Sequence, residues 1–268
     1  MLPVQRYEII RQAVQSEHSL SIHDLQRLLG VSRETIRRDI SVMEQQGLIS
    51  KVHGGIVATA VAQEPPYGDR SIAHYREKLA IAARAVQEIK DGQTLYLDSG
   101  TTLVNMARLL PDASRIHVFT NSLVIAEEVV KKHIPTYVLG GALRAGELSL
   151  SGALGQTMAR SIHVDRAYFG AGALSFEHGV MDYHIEEAAL RRTIGGQAGA
   201  ITILADSNKY GRTGVMQVFD WTEVSQWITD EQLEDAVIER LGAIPVAVVR
   251  CEVADDLGGP EGERRIEE

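Results

Sequence analysis

Cys251 is the only cysteine, so this chain has no disulfide framework and no cysteine-based zinc site. Long apolar runs are missing as well. No stretch approaches the ~18 residues of a membrane span. Met1 to Arg11 is polar, without the apolar centre of a secretory leader. A reducing, cytoplasmic setting is expected. No internal repeat is visible. Positive charge is also in short supply: 27 Lys and Arg face 36 Asp and Glu, a formal net charge of −9. An acidic body of this kind disfavours nucleic acid over most of its surface. What the chain does have is 268 residues with 44% hydrophobic content, enough for two domains with a sizeable core.

The charge is unevenly spread. Residues 1–55 hold seven cations (Arg6, Arg11, Arg27, Arg33, Arg37, Arg38, Lys51) against six anions (Glu8, Glu17, Asp24, Glu34, Asp39, Glu44), a net of +1 that leaves −10 on the rest. So small a surplus makes pattern, not bulk charge, the test for DNA binding. Val4, Tyr7, Ile10 and Val14 recur at helical spacing. Ser21 opens a second helix, with Asp24 three residues on as in a capping box and Ile22, Leu25, Leu28 and Leu29 as its buried stripe. Gly30-Val31 turns the chain. Ser32 caps a third helix with Thr35, Ile36, Ile40 and Met43 inward, and Gly47 ends it. Leu48–Val57 reads as a hairpin broken at Gly54-Gly55. These elements predict a winged helix-turn-helix over 1–57.

On the third helix Arg33 and Arg37 share a face, Arg38 lies beside them, and Ile36 and Ile40 mark the opposite side. A recognition helix needs this division, with base-edge and phosphate donors outward and apolar anchors inward. The candidate DNA-facing residues are Ser21, Ser32, Arg33, Glu34, Thr35, Arg37 and Arg38, with Lys51, His53 and Gly54 on the wing. The same pattern also fits a solvated three-helix bundle with incidental arginines.

Residues 58–73, with Gln63-Glu64-Pro65-Pro66-Tyr67-Gly68, have no clear period and predict a linker. A helix is expected over His74–Ile89, with Leu79, Ala82, Val86 and Ile89 on its buried face. Strands then alternate with helices. The strands fall at Thr94–Asp98, Ile116–Thr120, Thr136–Gly140, Ala167–Ala171, Ala200–Ala205, Gln226–Thr229 and Val246–Val249. The helices fall at Thr102–Leu110, Leu123–Lys131, Gly155–Ile162, Ile185–Gly195 and Glu231–Arg240. Such alternation predicts an α/β domain over 74–251 with a mostly parallel sheet covered on both faces. The Gly- and Glu-rich tail, 252–268, is expected to be disordered.

Polar loops recur at the strand C-termini, where open parallel sheets bind ligands. Asp98-Ser99-Gly100-Thr101-Thr102 has the small and hydroxyl residues of a phosphate cradle at a helix N-terminus. A tight turn with an N-cap fits equally. Thr120-Asn121-Ser122, Gly140-Gly141, Gly170-Ala171-Gly172 and Asp206-Ser207-Asn208-Lys209 repeat the theme. Asp182-Tyr183-His184-Ile185-Glu186-Glu187 reads as a helix start, a ligand contact or a metal site. The candidate effector residues are Asp98, Ser99, Gly100, Thr101, Thr102, Thr120, Asn121, Ser122, Gly141, Gly170, Asp182, His184 and Lys209.

The string GVSRETIRRDISVMEQQGLISKVHGGIV resembles the DeoR-type head of bacterial transcriptional regulators, whose hallmark is V-S-x-x-T-I-R-R-D-L followed by G-L-I and an H-G-G wing. Ile40 stands where the family usually has Leu. The resemblance extends nearly to residue 230 and implies an effector domain similar to ribose-5-phosphate isomerase and CoA transferases. It also implies a phosphorylated sugar or related metabolite as inducer, phosphate binding at Ser99, Gly100, Thr101, Thr102 and Lys209, and weaker DNA binding when the ligand is bound. The isomerases carry a catalytic acid in a D-G-A-D-E stretch; the matching Tyr168-Phe169-Gly170-Ala171-Gly172-Ala173 has none. A pocket that senses without turnover is expected, with no catalytic residue, cofactor or metal. The expected partners are double-stranded operator DNA, a small effector and further copies of the chain in a homodimer or homotetramer. An isomerase with an accessory DNA-binding head and an effector-free architectural binder are the alternatives.

Overall fold

The computed structural model describes residues 2–17, 19–45, 48–52, 55–58 and 64–254. The chain divides into two compact units, Met1–Pro65 and Pro66–Glu268.

The first unit runs α1 (Pro3–Glu17), β1 (Ser19–Ser21), α2 (Ile22–Leu29), α3 (Arg33–Gln45), β2 (Ile49–Val52) and β3 (Gly55–Ala58). The capping box at α2 is present: the Ser21 hydroxyl accepts from Asp24 N at 3.1 Å, and the Asp24 carboxylate accepts from Ser21 N at 3.2 Å. Gly30 closes α2 in the left-handed region (φ 64°), which an L side chain resists. Ser32 Oγ accepts from Thr35 N at 3.2 Å and starts α3. Ile10, Val14, Leu25, Leu29, Ile36, Ile40, Met43, Ile49 and Ile56 form one buried cluster. Fully burying one such aliphatic side chain contributes roughly 1.5–3 kcal/mol. Leu28 departs from the expected stripe: it is exposed, since Leu25 and Leu29 already fill the inward side of this short helix. β1 was not legible as a strand. It pairs antiparallel with β3, which also pairs with β2. A Cβ on Gly55 would lie 2.3 Å from Leu20 O, so only glycine permits the β1–β3 approach.

The second unit begins with α4 (Tyr67–Ile72) and α5 (Tyr75–Val86). The expected linker over 58–73 is therefore helical over 67–72. The buried face of α5 also differs from expectation: Lys78, Ile81, Ala82 and Ala85 are buried, whereas Leu79, Val86 and Ile89 are only half-buried.

Then follow β4 (Thr94–Leu97), α6 (Thr101–Leu109), β5 (His117–Thr120), α7 (Leu123–Lys131), β6 (Thr136–Val138), β7 (Ala142–Arg144), β8 (Ser149–Ser151), α8 (Ala153–Ala159) and β9 (Arg166–Phe169). Next come β10 (Ala173–Ser175), β11 (Gly179–Asp182), α9 (Ile185–Gly195), β12 (Ile201–Leu204), β13 (Met216–Phe219), β14 (Gln226–Asp230), α10 (Asp235–Leu241) and β15 (Ala247–Cys251). All seven expected strands lie in one sheet of order β15-β14-β12-β9-β4-β5-β6, and every pairing is parallel. Successive side chains face opposite layers. Tyr96 and Phe169 join the apolar layer containing α8 and α9, whereas Leu95, Leu97 and Tyr168 join that of α5, α6 and α7.

Two short antiparallel pieces escaped the sequence reading: the hairpin β7–β8 and the sheet β10-β11-β13. Their strands are three or four residues long and are not separated by the helices that marked out the parallel strands. Residues 255–268 of the expected tail lie outside the described residues.

Candidate functional site

The head's seven cations sort into two groups. Arg6 makes a bidentate pair with Asp39, at 2.6 and 2.8 Å, and both groups are buried. Arg11 pairs with Glu8 and Arg27 with Asp24, each at 2.6 Å. Lys51 donates to Ser41 Oγ at 3.2 Å and to Glu44 at 3.4 Å, which draws it toward α3. The guanidinium groups of Arg33, Arg37 and Arg38 are exposed and carry neither an ion pair nor a hydrogen bond among the described residues. The three unpaired cations therefore all project from α3, opposite the buried Ile36 and Ile40. Ser32 and Thr35 share a hydroxyl contact at 2.9 Å at the same end, and Glu34 is exposed in the first turn. Ser21 is committed to its capping box. His53 and Gly54 lie outside the described residues.

In the second unit the seven strands run in one direction, so their C-terminal loops share one edge of the sheet. From β4 the chain proceeds to β5 on one side, and from β9 to β12 on the other. That reversal opens a crevice beyond β4 and β9, where Ser99-Gly100-Thr101-Thr102 and Gly170 sit. Gly100 (φ 133°) precedes α6 and offers no side-chain cap. The amide groups of the first helical turn are left for an outside acceptor, and the helix end favours an anion.

Asp98 is fully buried under this turn. Arg191 Nε approaches its carboxylate at 2.8 Å, yet no well-formed hydrogen bond reaches either oxygen. Burial pushes the Asp98 carboxyl up to about 6; Arg191 opposes this shift and Glu187 adds to it. Arg191 also donates through Nη1 to Asp182. Asp182 in turn accepts from His184 N at 2.7 Å, at the start of α9. Glu187 accepts from Ser149 Oγ at 2.6 Å and from Arg144 at 3.1 Å. The candidate residues did not include Glu187 or Arg144, which meet between α9 and the unrecognised β7–β8 hairpin.

Thr120, Asn121 and Ser122 are buried and engaged internally. Thr120 Oγ1 accepts from Ser122 N, Asn121 bridges Tyr96 Oη and Leu150 O, and Ser122 caps α7. They shape the crevice wall more than they offer free donors. Gly141 (φ 148°) meets β8 so closely that a Cβ would lie 2.2 Å from Ser151 O.

Lys209 is half-buried in the loop after β12. Lys78, buried on α5, donates to the carbonyls of Arg70 and Ala73. Burial lowers Lys78 to about 8; Asp206 opposes the shift, while Lys209 and Arg70 reinforce it. Lys78 and Lys209 thus stand near Asp206 in the loop after β12, while Arg70 is paired with Glu147. Lys78 gave no sequence signal, being a lone lysine inside an amphipathic helix. Among the described residues no group of three or more side chains could hold a metal, and no helix is long and apolar enough to cross a membrane. Asp182 and His184 are occupied with Arg191 and the start of α9 instead.

Residues 6–60 match the DeoR-like helix-turn-helix domain and residues 73–231 the DeoR C terminal sensor domain. The chain is 33% identical to the HTH-type transcriptional regulator GlpR of Haloferax volcanii, over 93% of this chain and 98% of that protein. It is 30% identical to a putative aga operon transcriptional repressor of Escherichia coli O157:H7, over 91% and 93% of the two chains. Ribose 5-phosphate isomerase A of Methanocaldococcus jannaschii superposes with a TM-score of 0.40 at 18% identity, covering 52% of this chain and 55% of that one. The relatives that span the chain are named as transcriptional regulators, which favours the regulator reading over the isomerase alternative. With a DNA-reading helix in one unit and a sensor fold in the other, the chain belongs to the DeoR family of transcriptional regulators.

Proposed function

We propose that this regulator is a repressor of a carbohydrate catabolic operon, released from its operator by a phosphorylated sugar or related metabolite. The observation that carries the DNA half is the sorting of charge in the head: Arg33, Arg37 and Arg38 are unpaired, and all lie on α3. Bidentate arginine contacts to guanine supply specificity, and the remaining arginines bind phosphates. The effector half rests on the uncapped start of α6 and on Lys78 and Lys209 near Asp206. Two anion-favouring features flanking β9 suit a ligand with a phosphate at one end and hydroxyls along its length. The printed names of relatives, a repressor of an aga operon among them, agree with this class.

In this reading the head spans 1–57, the sensor takes most of the rest, and the working form is a cytoplasmic homodimer or homotetramer. A gel-shift assay on the chain's own upstream DNA, with and without a panel of sugar phosphates, tests it. A shift reversed by one sugar phosphate is expected. No shift, or a shift indifferent to the whole panel, overturns the reading. Thermal melting separates the effector half, because a ligand that binds only the native state raises Tm.

A further inference from the structure

β6 forms one edge of the seven-stranded sheet, and among the described residues nothing pairs with its outer side. Exposed edges in a monomer are normally blunted by charge, proline in the strand or a covering element. Here residues 136–143 and 148–159 contain no Asp, Glu, Lys or Arg. Six large apolar side chains in and beside these stretches stand open: Tyr137 (48% exposed), Val138 (37%), Leu143 (52%), Leu148 (43%), Leu154 (72%) and Met158 (45%).

Tyr137 and Val138 flank the edge strand on its two faces, with Tyr137 stacked on Phe119 at 4.7 Å, and the other four lie on the elements beside it. Gly140 N lies 3.5 Å from Met158 Sδ, which joins the end of β6 to α8. A Cβ on Gly155 would lie 2.6 Å from Gly140 O, so α8 rests directly on that segment. β7 and β8 pair through Leu143 and Leu150, and Leu123 N donates to Leu148 O beside them. The exposed fractions amount to roughly three whole side chains, on the order of 600 Å². A standard interface buries about 800 Å² per partner, some 65% of it apolar in homodimers, or about 500 Å². The patch is the size that one such interface requires.

We infer that the β6 edge, with the β7–β8 hairpin and α8, is the surface through which two copies of this chain associate. A second copy fits better than other occupants for reasons of charge and symmetry. The residues after 55 carry a net −10, so two bodies repel least through a face of low charge; β6 and α8 carry no charge, and the hairpin's Arg144 and Glu147 offset each other. An edge strand turned about a two-fold axis pairs antiparallel with itself, so each donor meets its own acceptor on the partner. The chain's own tail, 255–268, is rich in charge and unsuited to an apolar surface. The inference deepens the proposed function, since specific operator binding by small heads calls for two of them. It also joins the interface to the pocket. The hairpin that carries Leu143 and Leu148 carries Arg144 and Ser149 too, both bonded to Glu187.

Sedimentation of the full chain at micromolar concentration tests the surface. The variants are Tyr137→Glu/Leu154→Glu on the patch and Ala247→Glu on β15, at the opposite edge. The wild type and Ala247→Glu should share one oligomeric mass. The double variant should drop to half of it, keep its far-UV spectrum, and lose about a hundredfold in operator affinity as two-headed binding is lost. If the double variant unfolds, Leu154→Glu alone replaces it, because that side chain is mostly in solvent already. A monomeric wild type, or a folded patch variant with wild-type mass, overturns the inference. A wild type that sediments as expected but ignores its upstream DNA overturns the proposed function and leaves the interface standing.

Discussion

Replacing Arg191 with leucine strips the only cation from between two buried carboxylates. The Arg191 side chain is 8% exposed, against 0% for Asp98 and 5% for Asp182. Removing one partner of a buried pair costs about 3–5 kcal/mol, because the remaining charge is uncompensated. Asp98 can escape part of that cost by binding a proton, so pH sets the magnitude. In the wild type its carboxyl titrates at about 6, against 3.8 for the ordinary group. Between those values the native state binds more protons than the unfolded chain, so stability falls as pH rises. Over the two-unit span this amounts to about 3 kcal/mol. Without Arg191 the carboxyl rises further and the window extends above pH 6. The variant should therefore lose about 3–5 kcal/mol at pH 8 and distinctly less at pH 5. Urea unfolding followed by tryptophan fluorescence reads this cleanly. Trp221 and Trp227 are the only tryptophans, both are buried in the second unit, and the head stays silent. Adding Asp98→Asn should recover part of the loss at pH 8. A cost under about 1 kcal/mol at pH 8, or one independent of pH, would refute the view that Arg191 compensates buried charge.

In the head, Arg37→Ala should cost about 1–3 kcal/mol at one operator position if the side chain reads a base, measured by titrating operator variants. A uniform loss with a smaller salt slope would mark a phosphate contact instead. Asp39→Ala removes the bidentate partner of Arg6 and should lower the melting temperature of the head in circular-dichroism melts, whereas Arg6→Met/Asp39→Leu should recover most of it. Lys209→Ala should leave operator affinity intact and abolish release by the sugar phosphate in gel shifts. Undiminished release would remove Lys209 from the ligand site.

Local order was legible wherever neighbours in sequence are neighbours in space. Ser21 and Asp24 are three residues apart, and their reciprocal bonds form within one helical turn. The seven sheet strands were legible because burial on both faces demands continuous apolar runs. The glycine and hydroxyl loops at their ends were placed on one edge by parallel pairing alone. Strands β7, β8 and β10 were not legible, because Ala142–Arg144, Ser149–Ser151 and Ala173–Ser175 each mix small, polar or charged residues with a single leucine and present no apolar run. The buried face of α5 was legible only in part: Ala82 is buried as expected, Ala85 and Lys78 join it, and Leu79 and Val86 are half-buried. Small residues let that helix approach the sheet, and only the approach reveals the preference.

By itself the sequence determined the helix-turn-helix, the cap at each of its last two helices, the parallel sheet and the family. It could not say which arginines of the weakly charged head were free for DNA. The partner that occupies Arg6 is 33 residues away. Nor could it show that Asp98 shares Arg191 with Asp182, or that apolar side chains stand exposed along the β6 edge. Each of these depends on distances between groups remote in the chain. Electrostatic and packing energies follow those distances, and the tertiary fold alone sets them.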